Sequence, residues 1–361
     1  MFDTFPDHAR LQSIGLTPSL TSSFPPLADG DAAMRVVEVR RDSLLLHDGE
    51  TVQPARALPA LLSALAAADD ALATGDWVVA SRTGTDEWWV HTRIPPASQI
   101  ARRLHDGRDK LARAVLAANV DTALLVMGLD LDFNLRRLER YLAFARLAGI
   151  GAVVVLTKAD QVDDAVRRTR VQEAQRSSPP GVAVLALDGR CPGATAALEP
   201  WLGSGQTLVL VGSSGAGKST LTNTLAGRTL QATGGTRKGD GRGRHTTTAR
   251  TLHRLPGGAC LIDTPGLRTL RLDADADQLT QAFDDVARLA PACRFRDCRH
   301  ESEPGCAVRE ALPAARLKNF HKLQREARRD TMSVLERQAL LTTWKVRTRA
   351  GRERLKEKKQ G

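Results

Sequence analysis

The sequence predicts a multidomain α/β protein. It has a small N-terminal β-barrel, a central parallel sheet covered by helices, and a mainly helical C-terminal region built round a cysteine cluster. Three observations carry this reading. Short β-rich runs separated by turn residues fill residues 33–99. Buried-type strands alternate with helical periods over residues 100–285, the pattern of a parallel sheet with both faces covered. Beyond residue 285 come Cys293, Cys298, His300 and Cys306, then a long basic stretch. A chain of 361 residues with 42% hydrophobic content is long enough for two or three domains, each with a core.

Residues 1–32 are polar and contain proline, and they read as a flexible leader. The barrel strands follow at Arg35–Val39, Ser43–Leu46, Asp76–Val79 and Glu87–Val90, with turns at Asp48-Gly49, Thr74-Gly75 and Thr83-Gly84. The pattern fits a barrel of the oligonucleotide-binding (OB) type. The Ala-rich run Ala55–Ala73 interrupts it as a helical insertion. Trp77, Trp88 and Trp89 offer stacking surfaces for RNA, although alternation assigns Trp77 and one of the others to the core. In the central region, Asp121–Met127, Ala152–Leu156 and Val182–Leu187 read as strands, and Asn134–Leu147 as an amphipathic helix.

The apolar strand Thr207–Val211 runs into Gly212-Ser213-Ser214-Gly215-Ala216-Gly217-Lys218-Ser219, and Thr220 continues into a helix. This is a phosphate-binding loop in its strand–loop–helix context. Its backbone N–H groups and the helix N-terminus cradle a phosphate chain. Lys218 reaches the β- and γ-phosphates, and Ser219 holds Mg²⁺. The strand Ala259–Ile262 ends in Asp263-Thr264-Pro265-Gly266, 45 residues after Lys218. An Asp there can hold Mg²⁺ through water, and the Gly266 N–H can meet the γ-phosphate. Thr246 and Thr247 lie between the two motifs, where a switch loop supplies its Mg²⁺- and γ-phosphate-sensing threonine. Thr246 is a candidate nucleotide contact and Thr247 a candidate catalytic group; the residues do not decide which binds Mg²⁺.

Thr157-Lys158-Ala159-Asp160 ends another buried strand and resembles the Asn/Thr-Lys-x-Asp guanine motif of GTPases. The Asp160 carboxylate can accept from guanine N1–H and N2–H₂, donors that adenine lacks in that arrangement. The Lys158 stem can lie against the base. This motif precedes the phosphate loop, whereas ordinary GTPases place it last. The order is that of a circularly permuted P-loop GTPase domain.

Cys293-x₄-Cys298-x-His300-x₅-Cys306 supplies three thiolates and an imidazole, the donor set of a closed structural zinc site with one ion per chain. From Val286 the last 76 residues carry 20 Lys/Arg against 9 Asp/Glu, an excess equal to the whole formal charge of +11. A localised basic end is an electrostatic footprint for a polyanion. Domains are therefore expected at 1–32 (leader), 33–99 (barrel), 100–285 (GTPase), 286–325 (zinc-binding) and 326–361 (basic helical tail). With no signal peptide and no run of membrane-spanning length, a cytoplasmic chain without membrane contact is expected.

Together these motifs resemble the circularly permuted, ribosome small-subunit-dependent GTPase A family of bacteria. The resemblance spans residues 34–325 and includes Gly75-Asp76-Trp77-Val78, Gly243-Arg244-His245-Thr246-Thr247-Thr248 and Glu303-Pro304-Gly305-Cys306. It implies a monomer that binds GTP and GDP with Mg²⁺, contacts the small subunit and its 16S rRNA late in assembly, and hydrolyses GTP faster on that subunit. Leu267 stands where Ras-like GTPases place a water-orienting Gln, and the resemblance implies that His245 takes that role. The usual Ser-Ala pair contacting guanine O6 appears as Leu185-Ala186-Leu187-Asp188, with the contact near Ala186. The competing reading is a P-loop kinase or ATPase with an RNA-binding zinc domain. It needs an acceptor site and a lid, and has no use for Lys158 and Asp160.

Overall fold

The structure is a computed structural model that describes residues 8–82, 84, 87–105, 111–231, 250–264 and 276–331. It divides into two compact units: residues 1–102 with 113–272, and residues 103–112 with 273–361. No helix among the described residues is long and apolar enough to cross a membrane.

The first unit opens with a closed five-stranded barrel. Its strands are β1 (Asp31–Val39), β2 (Leu44–His47), β3 (Val52–Ala57), β4 (Trp77–Arg82) and β5 (Trp88–Arg93). They run β1-β2-β3-β5-β4 and close back on β1, with β3–β5 the parallel pair. Alternate residues such as Leu44/Leu46 and Val78/Ala80 point inward and meet Met34, Val36 and Val90 in the core. A Cβ on Gly75, which has φ +96°, would lie 2.1 Å from the Ala118 carbonyl, so the Gly-Asp-Trp-Val turn needs glycine there. Trp77 is fully buried and has no face to offer RNA. Trp88 and Trp89 are half-buried, and the Arg82 guanidinium lies 4.9 Å from the Trp88 ring centre. The Ala-rich insertion forms the helix Pro59–Ala67, whose Leu61 and Leu65 pack on the barrel core.

The expectation of a flexible leader needs correction. Residues in it form the helices His8–Gln12 and Pro18–Thr21, and Leu11, Ile14, Leu16 and Leu20 are all buried. Such short elements have no readable period, and their stability comes from tertiary burial. A second difference lies after residue 98. Strands β6 (Gln99–His105) and β7 (Leu111–Ala118) pair as a separate two-stranded sheet before the α/β alternation starts.

The central sheet contains β8 (Thr122–Gly128), β9 (Gly151–Thr157), β10 (Ala183–Ala186), β11 (Thr207–Val211), β12 (Thr251–Arg254) and β13 (Cys260–Asp263). Its order is β10-β9-β8-β11-β13-β12, parallel except for β12. β8 and β11 are buried along their whole length, which is why they read as unbroken apolar runs. Helix Leu135–Leu147 starts where the Asn134 side chain accepts from the Arg137 N–H, and helix Asp164–Ser177 is capped in the same way by Asp163. β12 also pairs with β1, so one continuous sheet runs from the parallel layer into the barrel. The fully buried Arg35 ties the same regions together. It donates to the carbonyls of Ile14, Gly75 and Asn119 and to Thr207 Oγ1.

The second unit holds the helices Ala276–Ala282, Asp284–Leu289, Ala307–Ala311 and Ala314–Thr331. Phe283 and Phe320 meet edge to face at 5.2 Å. Arg316 bonds Asp285 and lies 4.5 Å over the Phe283 ring. These contacts bring residues before 286 into the same unit as the cysteine cluster, whereas the sequence placed them in the domain before it.

Candidate functional site

The five parallel strands end on one edge of the sheet, where open α/β folds bind ligands. The loop after β11 begins at Gly212, where a Cβ would lie 2.3 Å from the Val126 carbonyl of β8. It contains Gly215 and Gly217 in the left-handed region, at φ 80° and 91°. Ser214 and Gly215 are exposed, Ala216 is buried, and Ser213, Gly217, Lys218, Ser219 and Thr220 are half-buried. Lys218 starts the helix Lys218–Ala226 and arches back over the loop, its Nζ donating to the Gly212 and Ser213 carbonyls at 2.7 and 2.6 Å. Ser213 Oγ donates to Asp132 Oδ1 at 2.7 Å.

Thr157 ends β9 and is almost fully buried. Its hydroxyl donates to the Ala216 carbonyl at 2.6 Å, joining the Thr-Lys-Ala-Asp segment directly to the phosphate loop. Lys158 adopts a left-handed backbone, φ 59°, and its ammonium meets Asp130 Oδ2 at 2.7 Å. Asp160 lies in the 3-10 turn Ala159–Gln161, and its Oδ2 accepts from the Arg190 guanidinium at 2.7 Å. Arg190 also bonds Asp188 and pulls that carboxyl down to about 2. The Ala186 segment is set beside the base motif by Leu187. Its N–H donates to the Leu156 carbonyl at 2.9 Å, and its carbonyl accepts from Ala159 N–H at 3.3 Å.

Asp263 ends β13, which runs parallel to β11 in register Val209↔Ile262. Burial raises its carboxyl pKa, and a Gln231 side-chain bond together with the His253 and Lys218 charges opposes the rise. A cation placed there would relieve this half-buried carboxylate, so Asp263 could help to hold Mg²⁺. Asn223 clamps the chain leaving the helix. Its Oδ1 accepts from the N–H groups of Leu230 and Gln231 at 2.8 and 2.9 Å. His245, Thr246, Thr247, Gly266 and Leu267 lie outside the described residues.

In the second unit, one ligand atom from each of Cys293, Cys298, His300 and Cys306 falls within 4.8 Å of the others. The separations are 3.6 Å for Cys293 Sγ to His300 Nδ1, 3.4 Å for Cys306 Sγ to His300 Nδ1, and 3.9 Å between the sulfurs of Cys293 and Cys306. Tetrahedral zinc with ordinary Zn–S and Zn–N bonds needs ligand–ligand edges of about 3.5–3.8 Å, so the donor set fits the ion. Two backbone features make the cluster. His300 is left-handed at φ 62°, with its carbonyl held by His321 Nε2 at 3.0 Å. Gly305, at φ 68°, accepts from Arg294 N–H at 3.0 Å and turns Cys306 back toward the other three.

Comparison with known proteins decides the family. The RsgA GTPase family matches residues 96–273. Proteins named small ribosomal subunit biogenesis GTPase RsgA match nearly the whole chain. The one from Xanthomonas axonopodis pv. citri is 43% identical over 341 residues, covering 90% of this chain and 91% of that protein. The one from Xanthomonas oryzae pv. oryzae (strain PXO99A) is 43% identical over 338 residues with the same coverage. The chain belongs to the RsgA GTPase family. Solved structures agree on the fold. YjeQ from Thermotoga maritima superposes with a TM-score of 0.62 at 21% identity, covering 82% of this chain and 98% of its own. YloQ, described as a circularly permuted GTPase, gives 0.62 at 20% identity over 84% and 96%. The permuted order read from the motifs agrees with that description of YloQ.

The structure brings together the phosphate loop, Thr157, Lys158, Asp160 and Asp263 at one sheet edge, and separately the four metal-ligand candidates. Sequence reasoning missed Asp130, Asp132, Arg190 and Asn223, and it quoted Asp188 in the base-side segment without giving it a role. The signal for the first two was positional. Gly128-Leu-Asp-Leu-Asp-Phe-Asn is the loop leaving β8, whose carboxyl end lies between those of β9 and β11.

Proposed function

We propose that this member of the RsgA GTPase family hydrolyses GTP in the maturation of the small ribosomal subunit, and that the subunit stimulates the reaction. The observation carrying the site assignment is the Thr157–Ala216 bond, which makes the base motif and the phosphate loop one structural piece. In this reading Asp160 accepts from guanine N1–H and N2–H₂, and the Lys158 stem lies along the base. Residues Gly212 to Thr220 wrap the phosphates. Lys218 exchanges its two carbonyl partners for the β- and γ-phosphates. Ser219 and Asp263 hold Mg²⁺, whose charge offsets that of the phosphates. Thr246 and Gly266 meet the γ-phosphate side. His245, with Thr247, orients the attacking water in place of the side chain that Leu267 cannot supply.

Cys293, Cys298, His300 and Cys306 hold one structural zinc that fixes the second unit. The basic residues from Val286 onward contact 16S rRNA through phosphate neutralisation. The protein acts as a cytoplasmic monomer. The test is phosphate release from GTP and from ATP, with and without purified small subunits. GTP-only turnover that rises on adding subunits is expected. Equal turnover of ATP, or no response to subunits, overturns the assignment.

A further inference from the structure

Arg190 bonds the carboxylate that is proposed to meet the base. Its guanidinium donates to Asp160 Oδ2 at 2.7 Å, and to Asp188 through Nε at 3.1 Å and NH2 at 3.3 Å. The Arg190 backbone N–H also donates to Asp188 Oδ1, at 3.0 Å, so Asp188 anchors the residue whichever way its side chain turns. The side chain is 62% exposed and borders an open cavity of about 810 Å³, lined also by Asn223, Thr224 and Arg228, so it has room to move.

The chemistry of the two candidate partners of Asp160 is the same. The N1–C2–N2 edge of guanine is a guanidine fragment that presents adjacent N–H donors. The arginine head group is the same donor array carrying a charge. A carboxylate placed to accept one array accepts the other.

We infer that Arg190 is an intramolecular substitute for the guanine edge: it occupies Asp160 while the site is without nucleotide and moves wholly onto Asp188 when the base enters. The inference rests on the reading of Asp160 given under Proposed function. Two consequences follow. Guanine nucleotide must compete with Arg190, so apparent affinity is reduced by the fraction of molecules in which Asp160 is taken. The competition is electrostatic and solvent-exposed, so it is weak and is screened by salt. Asp188 has the opposite effect, because it draws the guanidinium away from Asp160.

The test is titration of the full-length protein with a fluorescent GDP analogue at low and high salt. Arg190→Ala should tighten binding about two- to fivefold at low salt, the range expected for an exposed ion pair, and the gain should shrink toward nothing as salt rises. Asp188→Asn should weaken binding by a similar factor, and should have no such effect in the Arg190→Ala background. Unchanged or weaker binding by Arg190→Ala overturns the inference, because the side chain would then be neutral or would support the bound base. Asp160→Asn separates this failure from a failure of the underlying reading. If Asp160→Asn loses GDP while Arg190→Ala changes nothing, the substitution idea alone is wrong. If Asp160→Asn binds GDP like wild type, the guanine assignment falls and the inference falls with it.

Discussion

Replacing Thr157 with valine removes one hydroxyl and almost no volume, yet it should disable the nucleotide site. The hydroxyl is buried and donates to the Ala216 carbonyl at 2.6 Å. It also lies 3.4 Å from the Met127 carbonyl. Ala216 is fully buried in the phosphate loop, so its carbonyl has no water to replace the lost donor. An unsatisfied buried acceptor costs about 1–3 kcal/mol. The loop escapes that cost by turning the carbonyl outward, which tilts the neighbouring N–H groups away from where phosphates bind. Nucleotide binding must then restore the native loop, and the same 1–3 kcal/mol appears as a loss of roughly 5- to 150-fold in affinity. Thr157→Ser is the control. It keeps the donor and deletes a methyl, so it should lower stability by about 1 kcal/mol while leaving GDP affinity within about twofold. Fluorescent-GDP titration beside urea denaturation separates the two effects. If valine binds GDP as well as wild type, or if serine is as damaging as valine, the bond does not position the loop and the reasoning fails.

Three further outcomes are expected. Cys298→Ala should lose the bound metal and unfold the second unit locally, because binding energy at such sites is folding energy; elemental analysis finding no zinc in natively purified wild-type protein would refute the site. His245→Ala should retain GTP affinity and lose most subunit-stimulated hydrolysis, and unchanged turnover would move the water-orienting role elsewhere. Asp76 is fully buried, and burial pushes its carboxyl from 3.8 up to about 6 against the pull of Arg93, 2.9 Å away. The native state therefore holds that proton more tightly than the unfolded chain, and this contribution to stability is present below about pH 4 and lost as pH rises through about 6. The stability advantage of wild type over Asp76→Asn should shrink across that window in urea melts, and a pH-independent difference would contradict the assignment.

What was legible in the sequence and what was not divides along a physical line. The phosphate loop, the Thr-Lys-Ala-Asp segment and the cysteine cluster are local. Each packs its chemistry into a few consecutive residues, and strand ends announce themselves as apolar runs that stop. The order of these pieces was enough to read the permutation. Interactions across the fold left no such mark. Arg35 lies in a strand whose neighbours Val36 and Val37 are apolar, and by composition a charged residue there belongs on a solvated face. Instead it is fully buried and bonds Thr207, 172 residues away, together with carbonyls from the leader and from the segment before β8. The described part of the leader, from residue 8, is tied in by the same side chain: Ile14 supplies one of the acceptors that a buried guanidinium requires. Burial lowers the Arg35 pKa, and the nearby carboxylates of Asp121 and Asp76 oppose the shift. One buried cation thus fastens the leader and the barrel strand β1 to β11, the strand whose other end carries the phosphate loop. The side chain least readable in the sequence therefore joins barrel and nucleotide sheet alongside the β1–β12 pairing.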